Sequence, residues 1–289
     1  MTEVKEKAYA KINISLDISG RRDDGYHDMV MVMQTVSITD NVRLTLNDSG
    51  SITASSNLRF IPGDDRNLAV RAAKHYLEKT GETVPGLNID IRKNIPVGAG
   101  MGGGSSDAAA VFRAMNTLFN NKLSPDELEK LAGDVGSDTA FCVKGGTMLA
   151  EGRGEILTEL PRFPECYFVV CKPDFSISTP ELFKKIDASP IKAHPDTAGI
   201  IKALHEGKLT DICRRMYNVF ETVDDRRMRT VSEIKNKLLD FGALGSIMTG
   251  TGSAVFGIFN NEASAEKAKA ELKKDYRFCY VAEPVDKLL

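Results

Sequence analysis

The sequence predicts an α+β protein of two domains, residues 1–160 and 161–289. Three observations carry that expectation. Apolar residues alternate with polar ones in the first third, as in half-buried strands. A glycine-rich stretch then runs straight into residues of helical spacing. Beyond the double proline of LPRFP, at Leu160 to Pro164, strand and helix patterns alternate to the end. A chain of 289 residues also exceeds the usual size of one domain.

Taken in order, Val42, Leu44 and Leu46 form one period-2 strand, and Leu87, Ile89 and Ile91, alternating with Asn88, Asp90 and Arg92, form another. Between them Asn67 can cap a helix starting near Leu68, with Leu68, Ala72 and Tyr76 on one face. After the glycines, Ala109, Phe112, Met115 and Phe119 repeat at helical spacing. Ser124, Pro125 and Glu127 supply an N-cap, a proline in the first turn and a capping-box glutamate, ahead of Leu128 and Leu131. That helix ends in the glycines of GDVGSD, and FCVKGGTMLAEGRGE reads as strand, turn and second strand. The second half restarts with the strand YFVVC at Tyr167. Val231, Ile234, Leu238 and Phe241 mark a helix, Ile247 and Val255 two strands, Ala265, Ala268 and Leu272 a helix, and Phe278 a last strand. This alternation suggests a small sandwich with helices on one face of a sheet.

Composition narrows the function. Apolar residues at 42% and charged residues at 27% are ordinary for a globular protein, and the formal net charge of -2, with no polybasic run, excludes nucleic acid as an expected partner. No stretch reaches the ~18 apolar residues of a membrane span, and the N-terminus lacks a signal or transit pattern, so a cytoplasmic protein is expected. The 5 cysteines, Cys142, Cys166, Cys171, Cys213 and Cys279, show no CxxC spacing and read as buried thiols. The 4 histidines are scattered, and no protein metal site is indicated.

The chemistry concentrates in PVGAGMGGGSSDAAA, which begins at Pro96. Gly98, Gly100, Gly102, Gly103 and Gly104 fall within seven residues directly before a helix. Glycine lets backbone N–H groups converge and an anion approach, and the helix N-terminus adds a favourable dipole, so a polyphosphate is the natural guest. The loop is not a Walker A, because Ser105 and Ser106 stand where that motif needs lysine, and it is not a dinucleotide fingerprint. Both serines are placed to bond phosphate oxygens or to lie near Mg²⁺, and Asp107 enters the first helical turn. As a structural feature alone, the run would be a turn with Ser105 as an N-cap.

The loop resembles the second signature of the GHMP kinase superfamily. AYAKINISLDI, from Ala8 to Ile18, is similar to the family's N-terminal motif, and SIMTGTGSAVFGIF, from Ser246 to Phe259, to its C-terminal glycine motif. With GSDTAFCVKGGTMLAEGRGE the likeness spans nearly the whole chain. It implies an N-terminal domain like domain 2 of ribosomal protein S5, a C-terminal ferredoxin-like α/β sandwich, and ATP with Mg²⁺ as phosphoryl donor. Tyr26-His27 in DDGYHDM, the long glycine loop and NVFE at Asn218 to Glu221 resemble the branch acting on the 2-hydroxyl of a CDP-linked branched polyol in non-mevalonate isoprenoid synthesis. Homoserine- or mevalonate-type kinases, and a non-catalytic nucleotide-binding relative, are the alternatives. The partners implied are that polyol and ATP, in a monomer or homodimer.

The resemblance also assigns roles. Asp138 matches the catalytic aspartate and Lys11 its partner, whereas read alone they are a turn residue after Gly136 and a solvated strand lysine. By the same likeness Tyr26 stacks on the cytosine, His27 hydrogen-bonds it, and Asn13 lies near the substrate, or else is a strand asparagine bonded locally. Phe183 is the candidate for the opposite face of the stack, or else a core phenylalanine. The glycines of TGTGSAVFG would let the second domain close over the phosphates, and Arg153 reads as an exposed turn arginine. The chain departs from the family at GSDTAF, where Thr139 and Ala140 replace the Val and Pro of GADVPF and free the backbone after Asp138.

Overall fold

A computed structural model describes residues 2–188 and 190–289. Its elements in the first half are β1 (Glu3–Arg21), β2 (His27–Leu46), β3 (Ile52–Ser56), α1 (Leu68–Thr80), β4 (Leu87–Arg92), α2 (Gly103–Leu118), α3 (Pro125–Gly133), α4 (Ser137–Lys144), β5 (Thr147–Gly152) and β6 (Ile156–Glu159). The second half holds β7 (Tyr167–Lys172), α5 (Thr179–Asp187), α6 (Thr197–His205), α7 (Leu209–Cys213), β8 (Tyr217–Asn218), α8 (Met228–Asp240), β9 (Gly245–Met248), β10 (Val255–Phe259), α9 (Glu262–Leu272) and β11 (Phe278–Ala282).

Two sheets organise the molecule. The first is seven-stranded, in the order β3-β4-β2-β1-β8, with β5 and β6 extending from β2. The 20-residue β2 is long enough to pair with β1 along one side and, along the other, with β4 through Asn41–Leu46 and β5 through Met29–Gln34. The second sheet is antiparallel, in the order β11-β7-β10-β9. The short β8 crosses back to pair in parallel with Ser15 and Leu16 of β1, so residues after the double proline complete the first sheet.

Packing follows the sequence pattern. Helix α2 is buried from Ser106 to Asn116, and its alanines at 108–110 let it lie close between the first sheet and α1. Asn67 caps α1 through its side chain, and Ser124 and Glu127 form the reciprocal capping box of α3. One face of the second sheet carries α8 and α9, whose Ile234, Leu238, Ala265, Ala268 and Leu272 join Val169 and Val255 in one core. The opposite face, where no cover was expected, packs Phe168, Val170, Phe256 and Ile258 against Ile12, Ile14, Val32 and Val36 of the first sheet, with Ile200 and Leu204 of α6. The two sheets thus share a core, and the site lies at its edge.

One expected element is overturned. FCVK is not a strand: it ends α4, which opens after the extended Gly136 and stops at Gly145 in the left-handed region, with the strand beginning at Thr147. Three apolar residues in a row are too few for their spacing to separate strand from helix. Asp138 therefore stands in the first turn of a helix. Among the described residues, no helix is long and apolar enough to cross a membrane.

Candidate active site

The glycine loop is held from both ends. At its start the Asp40 carboxylate accepts the N–H groups of Asn94 (2.5 Å) and Ile95 (2.8 Å). Gly98, Gly100 and Gly102 then adopt φ of 65°, 76° and 67°, the left-handed region in which a side chain is strained. A Cβ on Gly100 would also meet the Thr249 carbonyl oxygen at 2.2 Å, so the loop and the TGTGS turn touch backbone to backbone. The Ala254 N–H donates to the Ala99 carbonyl (3.1 Å), joining the two glycine motifs across 155 positions of chain as far apart as Ala99 and Ala254. Helix α2 starts after Gly102 with no side-chain cap, leaving its first N–H groups for a ligand.

Two cavities share the loop. One, about 420 Å³, is bordered by Asn67, Leu68, Lys93, Pro96 and Asp107; the other, about 430 Å³, by Lys11, Ser137, Asp138, Arg153, Phe183 and Thr251. Gly98, Gly100, Gly102 and Ser105 border both.

In the second cavity Lys11 and Asp138 meet. Ile12 and Ile14 enter the core between the sheets, so Lys11 and Asn13 alternate to the other face of β1. Lys11 is 5% exposed, and its Nζ lies 3.5 Å from Asp138 Oδ2 and 2.9 Å from Asn13 Oδ1. Asn13 is itself buried, and its backbone N–H donates to Thr249 Oγ1 at 3.0 Å. It borders neither cavity and acts on the site through Lys11 and Thr249. The Asp138 side chain is one-third exposed at the start of α4, where the helix dipole favours a carboxylate. Beneath it, burial pushes the Cys142 thiol up to about 12, with the Asp138 charge adding to the effect.

Of the two loop serines, only Ser105 faces the cavities. Ser106 is buried, and its hydroxyl lies 2.7 Å from the Tyr9 carbonyl and 3.0 Å from that of Gly102, tying α2 to β1. A hydroxyl has a single proton, and here it is directed into the protein.

Phe183 and Phe220 border the same cavity and belong to an aromatic cluster with His27, beside Tyr26, though neither Tyr26 nor His27 lines the cavity itself. Tyr26 is 56% exposed, with the Arg153 guanidinium over its ring at 4.3 Å. Arg153 is exposed as expected, yet it also borders the cavity. His27 stacks on Phe183 at 4.7 Å and 26°, and Phe183 meets Phe220 edge-on at 4.9 Å. His27 Nε2 lies 2.7 Å from Asp187 Oδ1. Asp187 lies in no motif and reaches the site only through the fold, whereas Phe220 belongs to the NVFE stretch, whose likeness marked the segment without assigning the ring a role.

A buried charge cluster forms the wall of the first cavity. Lys93 Nζ bonds Asp40 and lies 2.6 Å from Asp107 Oδ2. Burial works against the Lys93 ammonium, but the charges of Asp107 and Asp40 outweigh it and raise its pKa. Asp107 is pushed up to about 8, chiefly by burial, with Lys93 opposing and the neighbouring Asp40 carboxylate adding. Among the described residues its Oδ1 has no hydrogen-bond partner. Among the described residues no group of three His, Cys, Asp or Glu side chains is arranged to hold a metal ion.

Comparison with known proteins agrees with this geometry. Residues 67–146 match the GHMP kinases N terminal domain and residues 200–277 the GHMP kinases C terminal domain. The chain is 45% identical over 282 residues to the 4-diphosphocytidyl-2-C-methyl-D-erythritol kinase of Clostridium tetani (strain Massachusetts / E88), covering 98% of this chain and 100% of that protein. It is 44% identical over 264 residues to the enzyme of the same name from Bacillus licheniformis, covering 91% of each. A solved 4-(cytidine 5'-diphospho)-2C-methyl-D-erythritol kinase superposes with a TM-score of 0.81 at 30% identity, covering 97% of this chain and 99% of that one. A homoserine kinase from Cytophaga hutchinsonii superposes with a TM-score of 0.78 at 21% identity, over 99% of this chain and 96% of that one, a likeness of fold.

Proposed function

We propose that this chain, which belongs to the GHMP kinase family, transfers a phosphoryl group from ATP to the 2-hydroxyl of 4-diphosphocytidyl-2-C-methyl-D-erythritol, giving the 2-phosphate and ADP. The observation that carries the chemistry is the Lys11–Asp138 pair, 3.5 Å apart beside the loop that both cavities share. The nucleotide takes the cavity of Asn67, Lys93 and Pro96, with its phosphates on the glycines and the N-terminus of α2. The acceptor takes the cavity of Asp138 and Phe183.

Phosphoryl transfer asks a protein mainly to align the reactants and neutralise charge on the moving group. Asp138 accepts the hydroxyl proton, and the Lys11 ammonium stabilises the developing charge while Asn13 fixes its position. Ser105 would offer an oxygen to a Mg²⁺ ion bound with the nucleotide, whose chemistry would be to neutralise phosphate charge. At the other end Tyr26 stacks on the base and His27 hydrogen-bonds its edge, while Phe183, expected as the opposite face of the stack, lies against the His27 ring and supports it. The TGTGS turn, already in contact with the loop, walls the phosphates on that side. The residues bordering the nucleotide cavity all precede Leu160.

The Thr139-Ala140 departure does not redirect this reading. Both residues lie inside α4, and alanine there keeps a helix N–H that proline would remove. The deciding experiment is ADP release from Mg-ATP with the CDP-linked polyol, mevalonate and homoserine as separate acceptors. Turnover confined to the CDP-linked polyol, and lost in Lys11→Ala and Asp138→Asn, is expected. Turnover of mevalonate or homoserine alone would replace the substrate, and nucleotide binding without any turnover would remove the activity.

A further inference from the structure

Three residues of α5 face the site at helical spacing. Thr179, Phe183 and Asp187 are four apart, so they share one side of the helix. Thr179 Oγ1 lies 2.9 Å from Thr251 Oγ1 in the second glycine turn, Phe183 lies under the His27 ring, and Asp187 Oδ1 lies 2.7 Å from His27 Nε2. The helix therefore fixes the His27 ring both by its face and by one edge.

That edge contact has a chemical consequence. A carboxylate can only accept, so the Nε2 nitrogen carries the proton, and in the neutral ring Nδ1 is left as a lone-pair acceptor. Arg21 Nη1 lies 3.7 Å from the other Asp187 oxygen, so the carboxylate charge is shared with a guanidinium and does not fall on the imidazole alone. Among the described residues no protein group hydrogen-bonds His27 Nδ1, although the side chain is only 9% exposed.

We infer that Asp187 is a specificity-determining positioning residue: by fixing His27 as the Nε2–H tautomer it leaves an acceptor at Nδ1 that selects the 4-amino group of cytosine over the 4-carbonyl of uracil. The two bases differ at that point as donor and acceptor, so an acceptor on the protein matches one and opposes the other. The inference rests on the CDP-linked substrate proposed above and adds what chooses its base. Asp187 touches neither the reacting phosphate nor Lys11 and Asp138, so its effect belongs in base choice and binding.

The test compares kcat/KM for the CDP-linked substrate and for its UDP-linked analogue, with saturating Mg-ATP. The native protein is expected to prefer the CDP-linked compound. In Asp187→Asn the amide can donate to Nε2 and release the other tautomer, so the preference falls by roughly tenfold, the worth of one hydrogen bond made or opposed. The loss is expected in KM for the CDP-linked substrate with kcat nearly unchanged, and Asp187→Glu, which keeps the acceptor, restores the preference. A ratio unchanged in Asp187→Asn, or an equal loss for both substrates, overturns the inference while leaving the kinase reading in place. Failure of the native protein to turn over the CDP-linked compound overturns both. An independent reading comes from ¹⁵N NMR of the native protein: His27 Nδ1 is expected to show the shift of an unprotonated ring nitrogen, and a protonated Nδ1 overturns the inference without any variant.

Discussion

Lys11 and Asp138 lie 127 positions apart in the chain as positions 11 and 138, yet their charged atoms are 3.5 Å apart. The pair has no other described lysine or carboxylate of the same cavity to take its place, because Arg153 is engaged over Tyr26 at 4.3 Å. Asp138→Asn keeps the shape and removes the proton acceptor, so kcat is expected to fall by about 10²–10⁴ with little change in KM, measured by ADP release. The thiol beneath supplies a second expectation. With Cys142 pushed up to about 12 by burial, the native protein at pH 8 holds almost no thiolate there. Cys142 should therefore resist alkylation until denaturant is added, as read by mass spectrometry of the labelled peptide; rapid labelling of the native protein would contradict the burial. The motifs made Lys11, Asn13 and Asp138 legible as candidates, but their contact is a property of the fold. Asp187 was not legible at all: a single acidic residue after a helical FKKI says nothing of the histidine 160 positions earlier that it meets.

At the scale of elements, long periodic runs were readable and short ones were not. The alternation of Leu87 to Arg92 and the spacing of Val231, Ile234 and Leu238 identify β4 and α8, because each repeats often enough to exclude the other period. FCVK does not, and α5 to α7, at nine, nine and five residues, offered equally little, although Thr179-Pro180-Glu181 is a helix-start pattern. The glycine loop was readable because three of its glycines are obligatory in conformation. Gly100→Ala tests this directly. The alanine would adopt a left-handed φ, and its Cβ would lie 2.2 Å from the Thr249 carbonyl oxygen, so one of the two glycine motifs must move. A loss of about 1–3 kcal/mol in unfolding free energy is expected. KM for ATP should rise together with it, whereas a variant of native stability and native KM would show that the two turns are not in forced contact.

At the scale of the whole molecule, two buried or bonded aspartates set opposite limits on the pH range of stability. Asp107, against the nucleotide cavity, is pushed up to about 8 chiefly by burial, from 3.8 as the ordinary value. Between those values the folded protein holds a proton that the unfolded chain releases, so this group's contribution is complete at low pH and is lost as pH rises through about 8. Asp225, ahead of α8, is held far below the ordinary carboxylate range by the Arg227 side chain, helped by Lys185. Its contribution is present above the unfolded value and is lost as pH falls. The thermal midpoint, followed by scanning calorimetry from pH 2 to pH 9, is therefore expected to be highest near pH 4, to decline on the alkaline side up to about pH 8, and to decline on the acid side below the ordinary carboxylate value of 3.8. Asp107→Asn should flatten the alkaline decline while leaving the acid one, since an amide cannot ionise. Asp225→Asn should do the reverse and lower the midpoint near neutrality, because the Arg227 and Lys185 charges lose their partner. An alkaline decline of full size in Asp107→Asn would place its origin outside the Asp40–Lys93–Asp107 cluster. A midpoint that failed to fall between pH 4 and pH 8 in the native protein would show that Lys93, with two carboxylates beside it, keeps both of them ionised.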